Sequence, residues 1–305
     1  MMMKALAGLL MLTIAGGALA QEGKPTGGED VVVTGKKFNR DKEVRDYLSA
    51  LNGLSGPDPI ARFDQTELCP VAIGLGGTYD AAIVQRMRRI ATAAAIPIAP
   101  EGCRANALVI FADDKDQMIA ALRKAHPAYF RTGLYTTISV PKSPGPVTAW
   151  HLSARLDRYG VQIASEGEEQ VSVTVPDGPS RLEANVRPVF VASVVVIERQ
   201  AVQGLTTTQI ADYAAMRSFA EIDPAKLKAS SAPTILTIMA SSMDSEVPIT
   251  LTAWDLSYLK ALYAVRPLRS AYSQRAEIRK RIVQDLDSGA PSPAQKAGSQ
   301  TGTTP

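Results

Sequence analysis

The sequence predicts an α/β fold: a mixed, mostly parallel sheet packed by helices and closed by one disulfide. Three observations carry that expectation. Residues 69–114 read CPVAIGLGGTYDAAIVQRMRRIATAAAIPIAPEGCRANALVIFADD: an apolar run, a glycine turn, an amphipathic helix and a second apolar run, with a cysteine shortly ahead of each run. Residues 189–197 are apolar on both faces, as in a strand covered from both sides. Two helix starts, at Thr206 and Thr252, carry capping boxes.

Taken in order, the first twenty residues have the form of an export leader. Lys4 is the only charge, residues 5–15 are apolar apart from Thr13, and Ala18-Leu19-Ala20 is a small-x-small site before Gln21. The run is too short for a spanning helix, and no later stretch reaches that length, so no transmembrane segment is expected in the mature chain. No cysteine stands at the cleavage point to take a lipid. Residues 21–37 are expected to be flexible, 38–287 to form a single α/β domain, and 288–305 to be a low-complexity disordered tail. The formal charge of +3 (33 basic against 30 acidic residues) gives no electrostatic footprint for nucleic acid.

Val44, Leu48 and Leu51 recur at helical spacing, with Gly53 placed to end the helix. In the cysteine-flanked unit, Asp80 is expected to accept from the free N–H groups of a helix first turn. Ile83, Met87, Ile90, Ala91 and Ala94 give that helix one apolar face, Arg86, Arg88 and Arg89 fall elsewhere on its surface, and Pro97 stops it. The flanking runs, Val71, Ile73 and Leu75 before and residues 108–111 after, read as parallel neighbours joined by a right-handed crossover. In an exported chain the isolated pair Cys69 and Cys103 reads as a disulfide. A thiol site or a metal half-site lacks neighbours, since His126 and His151 are the only histidines and there is no CxxC.

The turn Gly74-Leu75-Gly76-Gly77 lies where a dinucleotide fingerprint would. Tyr79 takes the place of its last glycine and no ribose-binding acid follows, so the turn reads as structural and no cofactor is expected. Asp113, Asp114 and Asp116 follow the second strand. They could hold a divalent cation, but capping of the helix 115–125, with Met118, Ile119 and Leu122 inward, is the stronger reading. Residues 131–187 read as a polar β region in which Trp150, Leu152, Ala154 and Leu156 alternate with His151, Ser153 and Arg155; His151 is expected to be solvated.

The box Thr206/Gln209, flanked by Leu205 and Ile210, starts a helix expected to reach about Ile222. The box Thr252/Asp255 starts another, with Leu256, Leu259 and Leu262 inward and an end near Arg266-Pro267. A last amphipathic helix carries Ile278, Ile282 and Leu286 and is basic outside, a face that is usually just solvated.

Three resemblances add to this. The run VVVTG at 31–35 is similar to the start of the plug in outer-membrane receptors of Gram-negative bacteria, though a short edge strand is the plainer reading. VVVIERQAVQGLTTTQIADYAAMRSFAEIDP, with PTILTIM, LTAWDLSYLKALY and the cysteine-flanked unit, resembles a family of uncharacterised exported bacterial proteins; this implies export but no activity. The succession of strand, helix, methionine-bearing turn (Met239 or Met243) and LTxxDxxxLxxLY is similar to the C-terminal half of metzincin-type zinc proteases. Their chemistry needs two histidines one helical turn apart. Here Asp212 and Met216, or Tyr213 and Arg217, hold that spacing, so the resemblance implies a scaffold without zinc. Arg217 and Glu221 read as an i,i+4 ion pair.

No nucleophile elbow, Walker loop or Ser–His–Asp arrangement is visible. The first reading is therefore a periplasmic or secreted, non-catalytic binding or assembly module of the cell envelope, partnered by another envelope protein or a small ligand. The alternative is a hydrolase on a degenerate zinc-protease-like scaffold, its site drawn from Asp113, Asp114 and Asp212. A third reading is a small-molecule binder using the glycine turn. Asp113, Asp114, Asp212 and Arg217 make up the candidate surface site.

Overall fold

The sheet is built outward from the apolar run of the third parallel strand. In the computed structural model, strands β1 (Pro70–Ile73), β2 (Ala107–Ala112) and β7 (Val186–Glu198) run parallel, in the spatial order β1-β2-β7. Strand β5 (Val147–Asp157) lies antiparallel along β7, and β6 (Gln162–Ile163) closes the far edge. Strands β3 (Arg131–Thr132) and β4 (Thr136–Thr137) form a separate antiparallel pair. The structure describes residues 40–51, 58–132, 136–163, 183–223, 226–227, 231–240 and 247–288. The leader, the VVVTG run, Gly53, Met243 and the expected tail beyond Ser288 lie outside these residues.

Period-2 alternation assigns each strand residue to one of two cores. Leu108, Ile110, Trp150, Leu152, Val194 and Val196 pack on one face, under Ile119 and Leu122 of α3 (Lys115–Ala125) and under Phe130. Val109, Phe111, Val147, Val195 and Ile197 point to the other. There they meet α2 (Gly77–Ala93), α4 (Thr207–Phe219), α5 (Ala253–Ala264), α6 (Ala271–Asp287) and α1 (Arg40–Leu51). Each such side chain contributes roughly 1.5–3 kcal/mol on full burial. A strand as apolar as β7 is thus strongly favoured in a position covered on both faces. No helix among the described residues is long and apolar enough to cross a membrane.

Both capping boxes form. The Thr206 and Thr252 hydroxyls accept from the N–H groups of Gln209 and Asp255, whose side chains accept in return from the capping residues' own N–H groups. Asp114 caps α3 by accepting from the N–H groups of Asp116 and Gln117, which lowers its pKa.

Three expectations need correction. Strand β1 ends at Ile73, and Leu75 belongs to the turn; Gly74 has φ +113°, and a Cβ there would come within 2.2 Å of the Phe111 carbonyl oxygen, so the chain must turn on glycine. Asp80 does not cap the first turn of α2. Its carboxylate accepts from the N–H groups of Gly74, Leu75 and Gly76 at 3.1–3.2 Å. Helix α4 stops at Phe219 rather than near Ile222, because Ala220 is extended and the Tyr263 hydroxyl takes the Phe219 carbonyl at 2.7 Å.

Cys69 and Cys103 form the disulfide, with Cα atoms 6.0 Å apart. It joins the approaches to β1 and β2 across a sequence separation of 34. On the chain-entropy account a loop of this length restricts the unfolded state by about 3–4 kcal/mol. A Cys69→Ser/Cys103→Ser double variant should lose about that much in urea unfolding; an unchanged midpoint would show that the pair contributes nothing.

Candidate functional site

Helix α4 is buried all round. Every residue from Gln209 to Phe219 is enclosed, the polar ones included. A helix of that kind must satisfy its polar side chains internally. Asp212 does so fully. It is 0% exposed; its Oδ1 accepts from Arg86 Nε at 2.6 Å, and its Oδ2 from Arg86 Nη2 at 2.9 Å, the Thr250 hydroxyl at 2.8 Å and the Leu251 N–H at 2.5 Å. Asp212 is therefore no member of a surface site, and Arg86 does not lie on the helix surface as expected. Arg86 falls three residues after Ile83, at the margin of the apolar stripe that packs on α4.

The other candidate residues are placed apart from it. Asp113 is exposed at the end of β2 and pairs with Arg199 at 2.5 Å, while Arg199 Nε donates to the Gly74 carbonyl at 2.8 Å. Asp114 is spent on its cap. These groups border the glycine turn at the carboxyl edge of the parallel strands. The N–H groups that an anion would seek there are already taken by Asp80. Among the described residues, no group of three or more histidine, cysteine or acidic side chains could hold a metal ion.

Arg217 is the fourth candidate, and the structure buries it at 6% exposure. Its pair with Glu221 does not form: α4 ends at Phe219, so Glu221 leaves the helical register and is exposed. Arg217 Nη1 donates to the Tyr213 hydroxyl at 3.0 Å, and the guanidinium lies 5.9 Å from the Tyr213 ring centroid. Among the described residues no carboxylate pairs with it. The other buried arginines are all satisfied. Arg62 donates to the carbonyls of Leu262 and Val265, Arg86 to Asp212, and Arg187 to Asp64 and the Asp157 carbonyl.

His151 lies beside this residue. The parity of β5 puts it on the same face as Val147 and Ala149, which is the face α4 covers, so the ring is half-buried rather than solvated as expected. Its ring stacks on Phe190 with centroids 4.2 Å apart. Its Nε2 is 3.1 Å from the Ser218 carbonyl. A carbonyl only accepts, so Nε2 carries the proton. Burial lowers the imidazole pKa to about 4; the Ser218 carbonyl opposes the shift and the charge of Arg217 adds to it. The ring is therefore neutral near pH 7. Ser193, the cross-strand partner of His151, and Ser218 on α4 both carry fully buried hydroxyls without a hydrogen-bond partner.

Comparison with protein-family models, with curated proteins and with solved structures gives no match. Sequence reasoning missed His151, Tyr213, Ser193 and Ser218 as a group. One signal was present: Ser193 interrupts an otherwise apolar strand, and a buried polar residue is more informative than a buried apolar one.

Two outcomes follow for stability. Asp212→Ala leaves Arg86 buried without its acid and should cost about 3–5 kcal/mol. The double change Arg86→Met/Asp212→Leu should recover most of that loss in the same urea titration. For His151 the folded pKa lies below the unfolded value, so protonation opposes folding. Stability should be complete above about pH 6.5 and fall toward pH 4. Between pH 7 and 4.5, His151→Gln should lose less stability than the wild type, by about 2–3 kcal/mol. Equal losses would show that His151 does not carry the slope.

Proposed function

We propose that the chain is an exported, non-catalytic binding module of the cell envelope. The observation that carries this reading is the enclosure of Asp212. The hydrolase alternative needs that acid free to activate water or hold a metal, and all its hydrogen bonds run to Arg86, Thr250 and Leu251. Asp114 is likewise committed to a helix cap, and Asp113 to a surface pair with Arg199. At the positions where the metzincin pattern carries imidazoles, α4 presents Asp212 and Met216 or Tyr213 and Arg217. None of these makes a tight zinc site. The export side of the reading is supported by the form of residues 1–20 and agrees with the Cys69–Cys103 disulfide, a bond that persists in oxidising compartments.

The two halves are tested separately. N-terminal sequencing of protein recovered from the periplasm or medium should begin at Gln21; retention of Met1 in all of it overturns cleavage after Ala20, and recovery of the protein from the cytoplasm alone overturns export. Mature protein purified without chelator should carry no stoichiometric zinc and cleave neither casein nor a mixed peptide library. Near-stoichiometric zinc, lost together with peptidase activity in His151→Gln, would establish the hydrolase instead.

A further inference from the structure

We propose that Arg217, with Tyr213, His151 and the hydroxyls of Ser193 and Ser218, forms a recognition site for a small monoanionic carboxylate. The inference rests on the binding-module reading and supplies the ligand class that reading lacks. Four arginines of the described chain are buried, and three have carbonyl or carboxylate partners that use the guanidinium fork. Arg217 has one hydrogen bond, to the Tyr213 hydroxyl. A guanidinium presents five N–H donors and stays charged at any pH the protein meets. Burying it without an anion is costly, and evolution can retain such a group where a ligand supplies the missing charge.

A helix-capping role does not account for it. Arg217 sits in the last turn of α4, where a cation is favoured by the helix dipole. Two of the carbonyls at that end nevertheless have other donors, Ser218 from His151 and Phe219 from Tyr263. The guanidinium therefore has donors to spare, and His151, which lies beside it, is flanked by Ser193 across the sheet and by Ser218, whose hydroxyls are also without partners. A guanidinium with most of its donors unused and two buried hydroxyls without partners, all grouped about His151, point to a ligand more directly than any one of them.

The charge of the site selects the ligand. His151 and Tyr213 are neutral at pH 7, so the site carries one positive charge. A planar carboxylate matches both that charge and the fork, accepting two parallel N–H bonds. A phosphate dianion would bring a second negative charge into a buried setting with nothing to balance it.

The test is thermal unfolding of the mature protein, followed by circular dichroism at neutral pH. It is titrated with sodium acetate or N-acetylglycinate against sodium chloride of matched ionic strength, with sodium phosphate as the comparison anion. The wild type should melt at a rising temperature with either carboxylate, beyond any effect of chloride or phosphate. Arg217→Met should show no such rise and should melt in chloride no lower than the wild type. Absence of a carboxylate response in the wild type, an equal response in Arg217→Met, or a response to phosphate alone overturns the proposal. If Arg217→Met does not fold, Arg217→Lys decides, since it keeps the charge and loses the fork. It should need at least about tenfold more carboxylate for the same shift, and an unchanged titration overturns the proposal. A catalytic activity found elsewhere in the chain would overturn the binding-module reading without touching this readout.

Discussion

The contact between α2 and α4 is set by one ion pair, Arg86 with Asp212, and the helical layer on that face of the sheet is arranged around it. Asp212 also accepts from Thr250 and Leu251, the residues that lead into α5, so one side chain ties three helices. Asp255 does the same one layer out. It completes the capping box of α5, accepts from the Thr234 hydroxyl and the Ile235 N–H, and receives the Tyr47 hydroxyl from α1. Burial raises the pKa of Asp255, against the lowering effect of those hydrogen bonds. Such groups gain little net energy, because desolvation consumes most of the attraction. Their effect is on alternatives: any slip of α4 against α2 strands a charge in the core, and any misplacement of α5 leaves Asp255 without donors.

Local features of this fold were legible in the sequence. The capping boxes at Thr206 and Thr252 need only residues three apart. The doubly covered strand at β7 needs only its own composition, and the disulfide needs only the cysteine count and a compartment. The buried polar groups were not legible in the same way. Arg86 looks like a surface residue until α2 is known to meet α4 along the edge of its apolar stripe. His151 lies on the polar half of a correctly read alternation. Alternation says which residues share a face and not whether that face is covered, and here both faces are. The candidate site drawn from sequence failed for the same reason. Asp113 and Asp114 are a surface pair and a cap, whereas Asp212 and Arg217 face the interior.

The glycine turn shows how a site can be present in outline and already filled. Gly74, Leu75 and Gly76 present three N–H groups between a strand and a helix, an arrangement that elsewhere receives a phosphate. Here Asp80, from the first turn of α2, supplies the anion. The intramolecular carboxylate has the advantage of effective concentration over any solute. That removes the turn from the set of binding surfaces, and with it the reading in which a nucleotide or other phosphate ligand uses it.

The same accounting, applied across the chain, sets Arg217 apart. At four other places among the described residues where a strong donor set is confined, the protein provides the acceptor itself. Asp80 serves the glycine turn, Asp212 serves Arg86, Asp64 serves Arg187, and the last carbonyls of α5 serve Arg62. Arg217 is not left without an acid for want of them, since the chain has 30 acidic residues. Ser193 and Ser218 keep the surroundings of His151 polar without bringing a charge into them. The guanidinium is thereby left able to take an anion from outside, in a setting where the surrounding low dielectric makes each hydrogen bond to that anion stronger than it would be at the surface.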